Sequence, residues 1–226
     1  MKRIVIGIFA HPDDETFGVS PTLIQELQNG AEVHLLSLTS GQNGSNPDSV
    51  ADLGAVRSEE WRTAGAILGV QHMKLYEYVD GTLSNHDIDG IIEQLREYVL
   101  PLVQDDVQIE FLTLDMNGIT GHIDHIVAAQ ATTLLFYKLK SEFPSAITRL
   151  RYRCVPISQV PQPDVSWRFM PAGCPDDEID ETIDASDYYD TVIVAMRAHV
   201  SQRHDAETHI SRHGRDICKN FYKVIS

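Results

Sequence analysis

Cysteine is scarce in this chain of 226 residues, and its three copies, Cys154, Cys174 and Cys218, include no C-x-x-C pair. That spacing argues against a disulfide framework and against a zinc ribbon, and a reducing cytoplasm is the simplest expectation. Long hydrophobic runs are also lacking. The apolar run at 3–10 is too short for the core of a secretion signal, and no run approaches the roughly 20 residues that span a bilayer. We therefore expect a cytoplasmic protein without a membrane span.

Basic residues are few as well, with 18 Lys and Arg against 33 Asp and Glu, which gives a formal net charge of −15. Such a balance disfavours nucleic acid and anionic membrane surfaces as partners. The hydrophobic content of 42% and charged content of 23% are ordinary for a soluble globular protein. The expected partner is therefore a small molecule, and a homo-oligomer is compatible with the composition.

Predicted strands and helices alternate along most of the chain. The strands are predicted at 3–10, 31–39, 71–78, 109–115 and 148–155, and 166–170 is a candidate for another. The helices are predicted at 20–30, 56–69, 87–103, 122–139 and 187–202. Strands separated by helices form βαβ units around a parallel sheet. We predict a Rossmann-like three-layer α/β sandwich with a mostly parallel sheet, forming one domain over 1–226 that becomes irregular from about 156.

The first strand is not followed by a G-x-G-x-x-G turn, so the chain lacks the usual dinucleotide cradle. It runs instead into the sequence HPDDE at 11–15. Two other predicted strands also end in polar loops, SGQNG at 40–44 and GITGHIDH at 118–125. In open parallel sheets, ligands bind beyond the carboxyl ends of the strands. Reactive groups are therefore expected at this edge of the sheet.

Two of these strand ends carry potential metal ligands, namely His11, Asp14, His122 and His125. Zinc accepts both imidazole and carboxylate, and a catalytic zinc keeps about three protein ligands and one position for water. Asp13 could take a proton from that water. Taken alone, either histidine could lie on a helix surface, and Asp14 or Glu15 could simply begin a helix. The two motifs together predict a metal-dependent hydrolase.

The same motifs carry a family resemblance. AHPDDE (10–15) with GHIDH (121–125) resembles the N-acetylglucosaminylphosphatidylinositol deacetylase family, also called LmbE-like or PIG-L. Weaker matches extend over most of the chain, at LTSGQNG (38–44), VRSEEWRTAGAILGV (56–70), YVDGTL (78–83) and IDASDYYDTVIVAMRAHVSQ (183–202). The resemblance implies a Rossmann-like fold and a zinc-dependent enzyme that removes the acetyl group from an N-acetylated amino sugar or its conjugate.

The resemblance also implies a role for each matched residue. His11, Asp14 and His125 match the zinc ligands, and Asp13 matches the general base that activates the zinc-bound water attacking the amide. His122 matches a histidine that stabilises the charged intermediate or protonates the leaving amine. Two further positions match residues that hold sugar hydroxyls in relatives, Arg57 and Asp80.

Several alternatives stay open at this point. The His-Asp-His set would also accept iron, cobalt or manganese in place of Zn²⁺. The chain could be an amidase that cleaves a larger amide conjugate, or a metal-binding relative without turnover. Separately, three arginines alternate along one predicted strand and are expected to face solvent or a subunit interface: Arg149, Arg151 and Arg153. The late histidines His204, His209 and His213 are expected in a solvated or interfacial segment. His199 is the exception, because it lies in the family match and could approach the site.

Overall fold

The structure is a computed structural model and describes residues 1–160 and 173–226. Within these residues one sheet contains seven strands: β1 Lys2–Phe9, β2 Glu32–Thr39, β3 His72–Tyr78, β4 Val107–Leu114, β5 Ile147–Cys154, β6 Glu181–Asp184 and β7 Lys219–Ile225. Their order across the sheet is β3-β2-β1-β4-β5-β7-β6. The first five strands are parallel, as predicted, whereas β7 pairs antiparallel with both β5 and β6.

The helices follow the strands in chain order. They are α1 Ser20–Gln28, α2 Leu53–Leu68, α3 Ile88–Val99, a short α4 Gly118–Gly121, α5 Ile123–Glu142, α6 Tyr189–Arg197 and α7 Arg203–His213. The ends of α2 carry ordinary capping signals. Asp52 accepts from the backbone N–H of Ala55 at the start of α2, and Gly69 ends that helix with a positive φ of 88°. In the part of the chain that the structure describes, no helix is both long and apolar enough to cross a membrane.

Helices cover both faces of the sheet. On one face, Ile6 of β1 belongs to a core with Leu95 of α3 and Leu135 of α5. On the other face, Val5 belongs to a core with residues of α1, α2 and α6, among them Met196. The continuous apolar run of β1 is explained by this burial on both sides. The predicted Rossmann-like three-layer sandwich is confirmed.

The last two strands were not predicted. β6 has only four residues, and β7 follows α7 and a 3₁₀ helix at Gly214–Cys218. β7 pairs antiparallel with β5, and β6 pairs antiparallel with β7. An alternation of strands and helices does not predict either pairing. The candidate strand at 166–170 lies outside the described residues.

The arginine face of β5 differs from its prediction. Arg151 is fully buried, with its Nη2 atom 2.7 Å from Oε1 of Glu26 in α1 and 3.6 Å from Oε2 of Glu110 in β4. Arg3 lies 2.9 Å from Glu26 and 3.0 Å from Glu110, so it joins the same group. The expectation of a solvent-facing strand was wrong here because carboxylates from separate elements converge on it. We name this set the salt-bridge cluster: Arg3, Arg149, Arg151, Glu26, Glu110 and Glu181.

Candidate active site

The candidate active site lies where the strand order reverses. From β1 the chain proceeds to β2 and β3 on one side, whereas β4 and β5 lie on the other. A crevice forms at such a point beyond the carboxyl ends of the central strands. A cavity of about 670 Å³ lies there. The residues predicted for the site all line it: His11, Asp13, Asp14, Arg57, Asp80, His122 and His125.

Three potential ligand atoms converge in this cavity. Nδ1 of His11 lies 3.0 Å from Nε2 of His125, and Oδ1 of Asp14 lies 3.1 Å from the same Nε2 atom. The other oxygen of Asp14 is 3.8 Å from Nδ1 of His11. Four ligands held tetrahedrally at about 2.0–2.1 Å from zinc lie roughly 3.3 Å from one another. These spacings and donor types therefore fit a divalent transition metal.

The remaining polar atoms of the three ligands are fixed by protein groups. Oδ2 of Asp14 accepts the backbone N–H of His11 at 2.9 Å and that of Ala10 at 3.2 Å. Nδ1 of His125 donates to the carbonyl of Gly118 at 3.1 Å, which leaves Nε2 directed at the ligand cluster. Such outer contacts orient metal ligands and set their tautomers.

Asp124 and Asp80 hold the far side of the His11 ring. Nε2 of His11 lies 3.2 Å from Oδ2 of Asp124 and 3.0 Å from Oδ1 of Asp80. Asp124 is fully buried and accepts the backbone N–H groups of Gly81 and Leu83 at 2.7 and 3.1 Å. The turn after β3 is thereby tied to the start of α5. The carboxylate contacts also leave Nδ1 as the atom of His11 that faces His125 and Asp14.

The electrostatics favour a cation among these groups. Burial lowers the pKa of His11, but the hydrogen bonds from Asp124 and Asp80 outweigh it and raise that pKa to about 10. Burial raises the pKa of Asp14, and the neighbouring His125 and His11 rings reverse the effect, so its pKa is lowered overall. The surrounding carboxylates therefore favour a positive charge at the His11 ring, which either a proton or a metal ion could supply.

Asp13 is held in an unusual backbone conformation. Its φ of 111° is one that L residues rarely adopt, and such strain persists only where surrounding contacts enforce it. Glu15 supplies one such contact, because its Oε2 accepts the Asp13 backbone N–H at 3.0 Å. The other oxygen of Glu15 lies 2.9 Å from Nε2 of His199, and both side chains are fully buried. The third acid of HPDDE thus positions the first.

Arg57 fixes the Asp13 side chain. Its Nη2 atom donates to Oδ2 of Asp13 at 2.8 Å, and Nη1 donates to the carbonyl of Gly41 at 2.9 Å. Gly41 has a φ of 65°, and a Cβ atom there would lie 2.4 Å from the guanidinium, so the loop needs glycine at this point. Burial raises the pKa of Asp13 to about 6, although Arg57 opposes the shift. The prediction that Arg57 and Asp80 hold sugar hydroxyls stays a prediction.

His122 lies just before α5 and not on its first turn. Its backbone is extended, with φ −64° and ψ 125°, and its Nδ1 accepts the N–H of Asp124 at 3.2 Å. Burial is the largest cause that lowers the pKa of His122, and the nearby His11 and His125 rings lower it further. The lowered pKa favours the neutral ring, and a neutral ring that accepts this N–H at Nδ1 carries its hydrogen on Nε2. That hydrogen is available to donate to a ligand in the cavity.

Comparison with known proteins identifies the family. Residues 6–136, more than half of the chain, match the model of the GlcNAc-PI de-N-acetylase (PIG-L) family. The chain belongs to this family.

Named relatives of this PIG-L family member share much of its length. A 1D-myo-inositol 2-acetamido-2-deoxy-alpha-D-glucopyranoside deacetylase from Acidothermus cellulolyticus is 28% identical over 89% of this chain and 80% of its own. The fold is similar to that of N,N'-diacetylchitobiose deacetylase from Pyrococcus horikoshii, with a TM-score of 0.67, 18% identity, and coverage of 99% of this chain and 83% of that one.

A second similar structure is named for a different reaction. It is a 4-carboxy-2-hydroxymuconate hydratase from Pseudomonas putida, with a TM-score of 0.67, 14% identity, and coverage of 100% of this chain and 97% of that one. One fold therefore accommodates a hydratase and a deacetylase. The reaction of the present PIG-L member has to be inferred from its side chains and not from its fold.

Sequence reasoning missed part of this site. Asp124 stands inside the HIDH motif, but nothing in the sequence indicates that two N–H groups from the turn after β3 converge on it. His209 and His213 were expected in a solvated or interfacial segment, yet both line the cavity from α7. His204 is exposed, as expected. The folding of α7 back over the sheet edge could not be inferred from histidine spacing.

Proposed function

We propose that this protein is a metal-dependent N-deacetylase, with zinc as the expected ion, that acts on an N-acetylated amino sugar or its conjugate. The observation that carries the proposal is the joint presence, in one cavity, of the His11–Asp14–His125 ligand set and the Asp13 carboxylate. The named deacetylase relatives support the same reaction class.

His11, Asp14 and His125 would hold the ion. When bound, a divalent metal of this kind supplies Lewis acidity, which polarises an amide carbonyl and lowers the pKa of a water ligand. The negative surroundings of the three ligands favour such an ion over an empty site. No further ligand from the described residues is required, because catalytic zinc sites keep a position open.

Asp13 would act as the general base. Its pKa of about 6 leaves most of the carboxylate ionised at pH 7 while keeping it basic enough to accept a proton. The oxygen of the attacking water bonds to the carbonyl carbon as Asp13 takes one proton. Arg57 holds the carboxylate through Oδ2, which keeps the second oxygen free for this transfer. The strained backbone of Asp13 directs the side chain into the cavity.

His122 would stabilise the negative oxygen that develops on the former carbonyl. Its Nε2 hydrogen needs no prior protonation of the ring, since the neutral tautomer already carries it. Preorganised donors of this kind stabilise transition states because they need no reorientation during the reaction. The carbon–nitrogen bond then breaks, the nitrogen takes up the transferred proton, and acetate and a free amine are the products.

The proposal is tested with a panel of N-acetylated amino sugars and their conjugates on metal-loaded protein. Free amine and acetate are quantified together. Equal amounts of both are expected from at least one member of the panel. Absence of amine release from every member, with the metal shown to be bound, would contradict the assignment and would favour a metal-binding relative without turnover.

The same measurement addresses the amidase alternative. The cavity volume of about 670 Å³ is large enough for a sugar with an attached group. Release of an acid larger than acetate, with no acetate from the acetylated panel, would identify an amidase that cleaves a larger conjugate. A deacetylase is expected to release acetate and to tolerate changes in the group carried by the sugar.

A further inference from the structure

A second group of potential metal ligands lies at the opposite end of the sheet. Glu32 and His34 belong to β2, and His72 begins the neighbouring strand β3. One ligand atom from each residue lies within 4.8 Å of the other two. His34 is five residues before Thr39, whose strand end borders the active site, so the two places are roughly 16 Å apart along β2. This group takes no part in the proposed reaction.

The register of the sheet creates the group. His34 and His72 are paired across parallel strands, and their rings stack with centroids 4.4 Å apart and an interplanar angle of 13°. Nε2 of His34 lies 2.9 Å from Oε1 of Glu32, and Nε2 of His72 lies 3.9 Å from the same oxygen. Both ring nitrogens therefore approach one carboxylate oxygen. The longer distance is not a hydrogen bond.

The outer contacts of the group resemble those that support metal ligands. Nδ1 of His34 lies 2.8 Å from the hydroxyl of Tyr98 in α3, which can accept the ring hydrogen and leave a lone pair on Nε2. Oε2 of Glu32 lies 2.8 Å from Nζ of Lys2, which leaves Oε1, now hydrogen-bonded to Nε2 of His34, as the carboxylate oxygen that would bind an ion. An ion would replace the hydrogen shared by Nε2 of His34 and Oε1 of Glu32, and a histidine oriented by a second partner in this way is typical of a metal ligand.

Access to the group is open from solvent. The side chains of His72 and Glu32 are 46% and 28% exposed, whereas His34 is buried. A shallow hollow beside them is lined by Lys2, Gly69 and Gln71 in addition to Glu32 and His72. An ion could enter there without any rearrangement of the sheet, and water could fill its remaining coordination positions.

We propose that Glu32, His34 and His72 form a second transition-metal site, suited to Zn²⁺, that fastens the edge strand β3 to β2. Two imidazoles and one carboxylate are a donor set that zinc accepts. Because β3 is the last strand on its side of the sheet, it has a strand neighbour only at β2. A cross-strand ion would stabilise this edge and, through Tyr98, its contact with α3.

The test compares the zinc content of three untagged full-length proteins after equilibration with the same free zinc concentration. These are the wild type, His72→Gln, and the control His86→Gln, which alters an exposed histidine outside the group. His72→Gln is expected to bind one equivalent less than the wild type and the control. Equal zinc content in all three proteins would overturn the proposal. The difference is independent of the first site, because it is taken between proteins that share that site.

A thermal measurement provides a second readout. His72 is half-exposed at the strand start, so its replacement leaves the core intact, whereas a change at buried His34 could prevent folding. Zinc at about 100 times its dissociation constant for this site is expected to raise the Tm of the wild type and of His86→Gln by about 5 °C or more relative to His72→Gln. Equal Tm shifts in the three proteins would contradict a site that ties β3 to the sheet.

Discussion

Two buried groups of charged side chains in this molecule differ in how their charges are balanced. In the salt-bridge cluster, three guanidinium groups face three carboxylates, and Arg151 at its centre is fully buried. At the active site four carboxylates lie together, those of Asp13, Asp14, Asp80 and Asp124. Among the described residues, Arg57 is the one arginine paired with them.

The difference separates a structural role from a chemical one. A network with equal numbers of opposite charges needs no bound ion for charge balance, and its ion pairs join α1, β4, β5 and β6. An excess of buried carboxylates has to be compensated by protons or by a bound cation. The active site does this with the imidazoles of His11 and His125, which we propose as metal ligands. Carboxylates with shifted pKa values in a cavity indicate function when the protein supplies too few basic side chains to balance their charge.

The largest effect is expected from removal of a metal ligand. Asp14→Ala should lose the ion and reduce amine release by about 10³-fold or more, because both Lewis acidity and the charge balance are lost. Metal content and turnover are measured on the same sample. Asp105→Ala, a change at an exposed acid, is the control and should retain both. Full activity in Asp14→Ala would show that Asp14 is not a ligand.

Removal of one carboxylate charge from the salt-bridge cluster should lower the free energy of unfolding and leave the catalysed reaction unchanged. Glu26→Gln leaves the buried Arg151 without its 2.7 Å partner, and a cost of about 3–5 kcal/mol in the free energy of unfolding is expected. Denaturant titration measures this cost. The control is Glu178→Gln, which removes an exposed pair with Lys223 and should cost under about 1 kcal/mol. Similar costs for the two variants would contradict the distinction between buried and exposed pairs.

A smaller loss is expected from a change at Asp124. This residue contacts His11, a proposed metal ligand, but is not itself one of the three proposed ligands. Asp124→Asn keeps the size of the side chain but weakens its hold on His11. Metal affinity should fall by about 10- to 100-fold, the usual result of altering an outer partner of a ligand. Competition with a chelator of known affinity measures the change. An unaltered affinity would mean that Asp80 alone orients the His11 ring.

The smallest effect concerns pH and the pair formed by His199 and Glu15. Burial lowers the pKa of His199, but the Glu15 carboxylate outweighs burial and raises it above its ordinary value of 6.5. The pair therefore contributes its full stability below about pH 6.5, and this contribution is lost as the pH rises through the folded-state pKa. As the pH rises from 6.5 through the folded-state pKa of His199, the Tm of metal-loaded wild type should fall by a few degrees.

Replacement of the titrating ring supplies the comparison for that measurement. His199→Gln should have a lower Tm at pH 6 and a flatter dependence of Tm on pH than the wild type. His204→Gln, at an exposed position of α7, should retain the wild-type dependence. Identical pH profiles for His199→Gln and the wild type would assign the dependence to other groups.

The sequence predicted the parts of the molecule that depend on local pattern. The apolar run of β1 and its HPDDE end place His11 and Asp14 at the sheet edge, and the HIDH spacing brings His125 there. Partners supplied by distant elements could not be predicted. Arg151 is neutralised from α1, β4 and β6 together, and no local pattern reports such convergence.

The same limit applies within the site. From the sequence Glu15 could simply begin a helix, and in the structure it does so and also holds the backbone N–H of Asp13. Its partner His199 lies 184 residues away, in a turn after α6 that packs against the α1 side of the sheet. The late family match suggested that His199 approaches the site, but only the fold shows which acid it meets.

Amine release by metal-depleted and metal-restored protein tests the central claim most directly, with Asp13→Ala measured in parallel. The wild type should lose activity on chelation and regain it when Zn²⁺ is restored. Asp13→Ala should bind the ion as the wild type does while its turnover falls by about 10²- to 10⁴-fold, because the general base is missing. Amine release that continues unchanged in thoroughly metal-depleted wild type would contradict the proposed metal-dependent reaction.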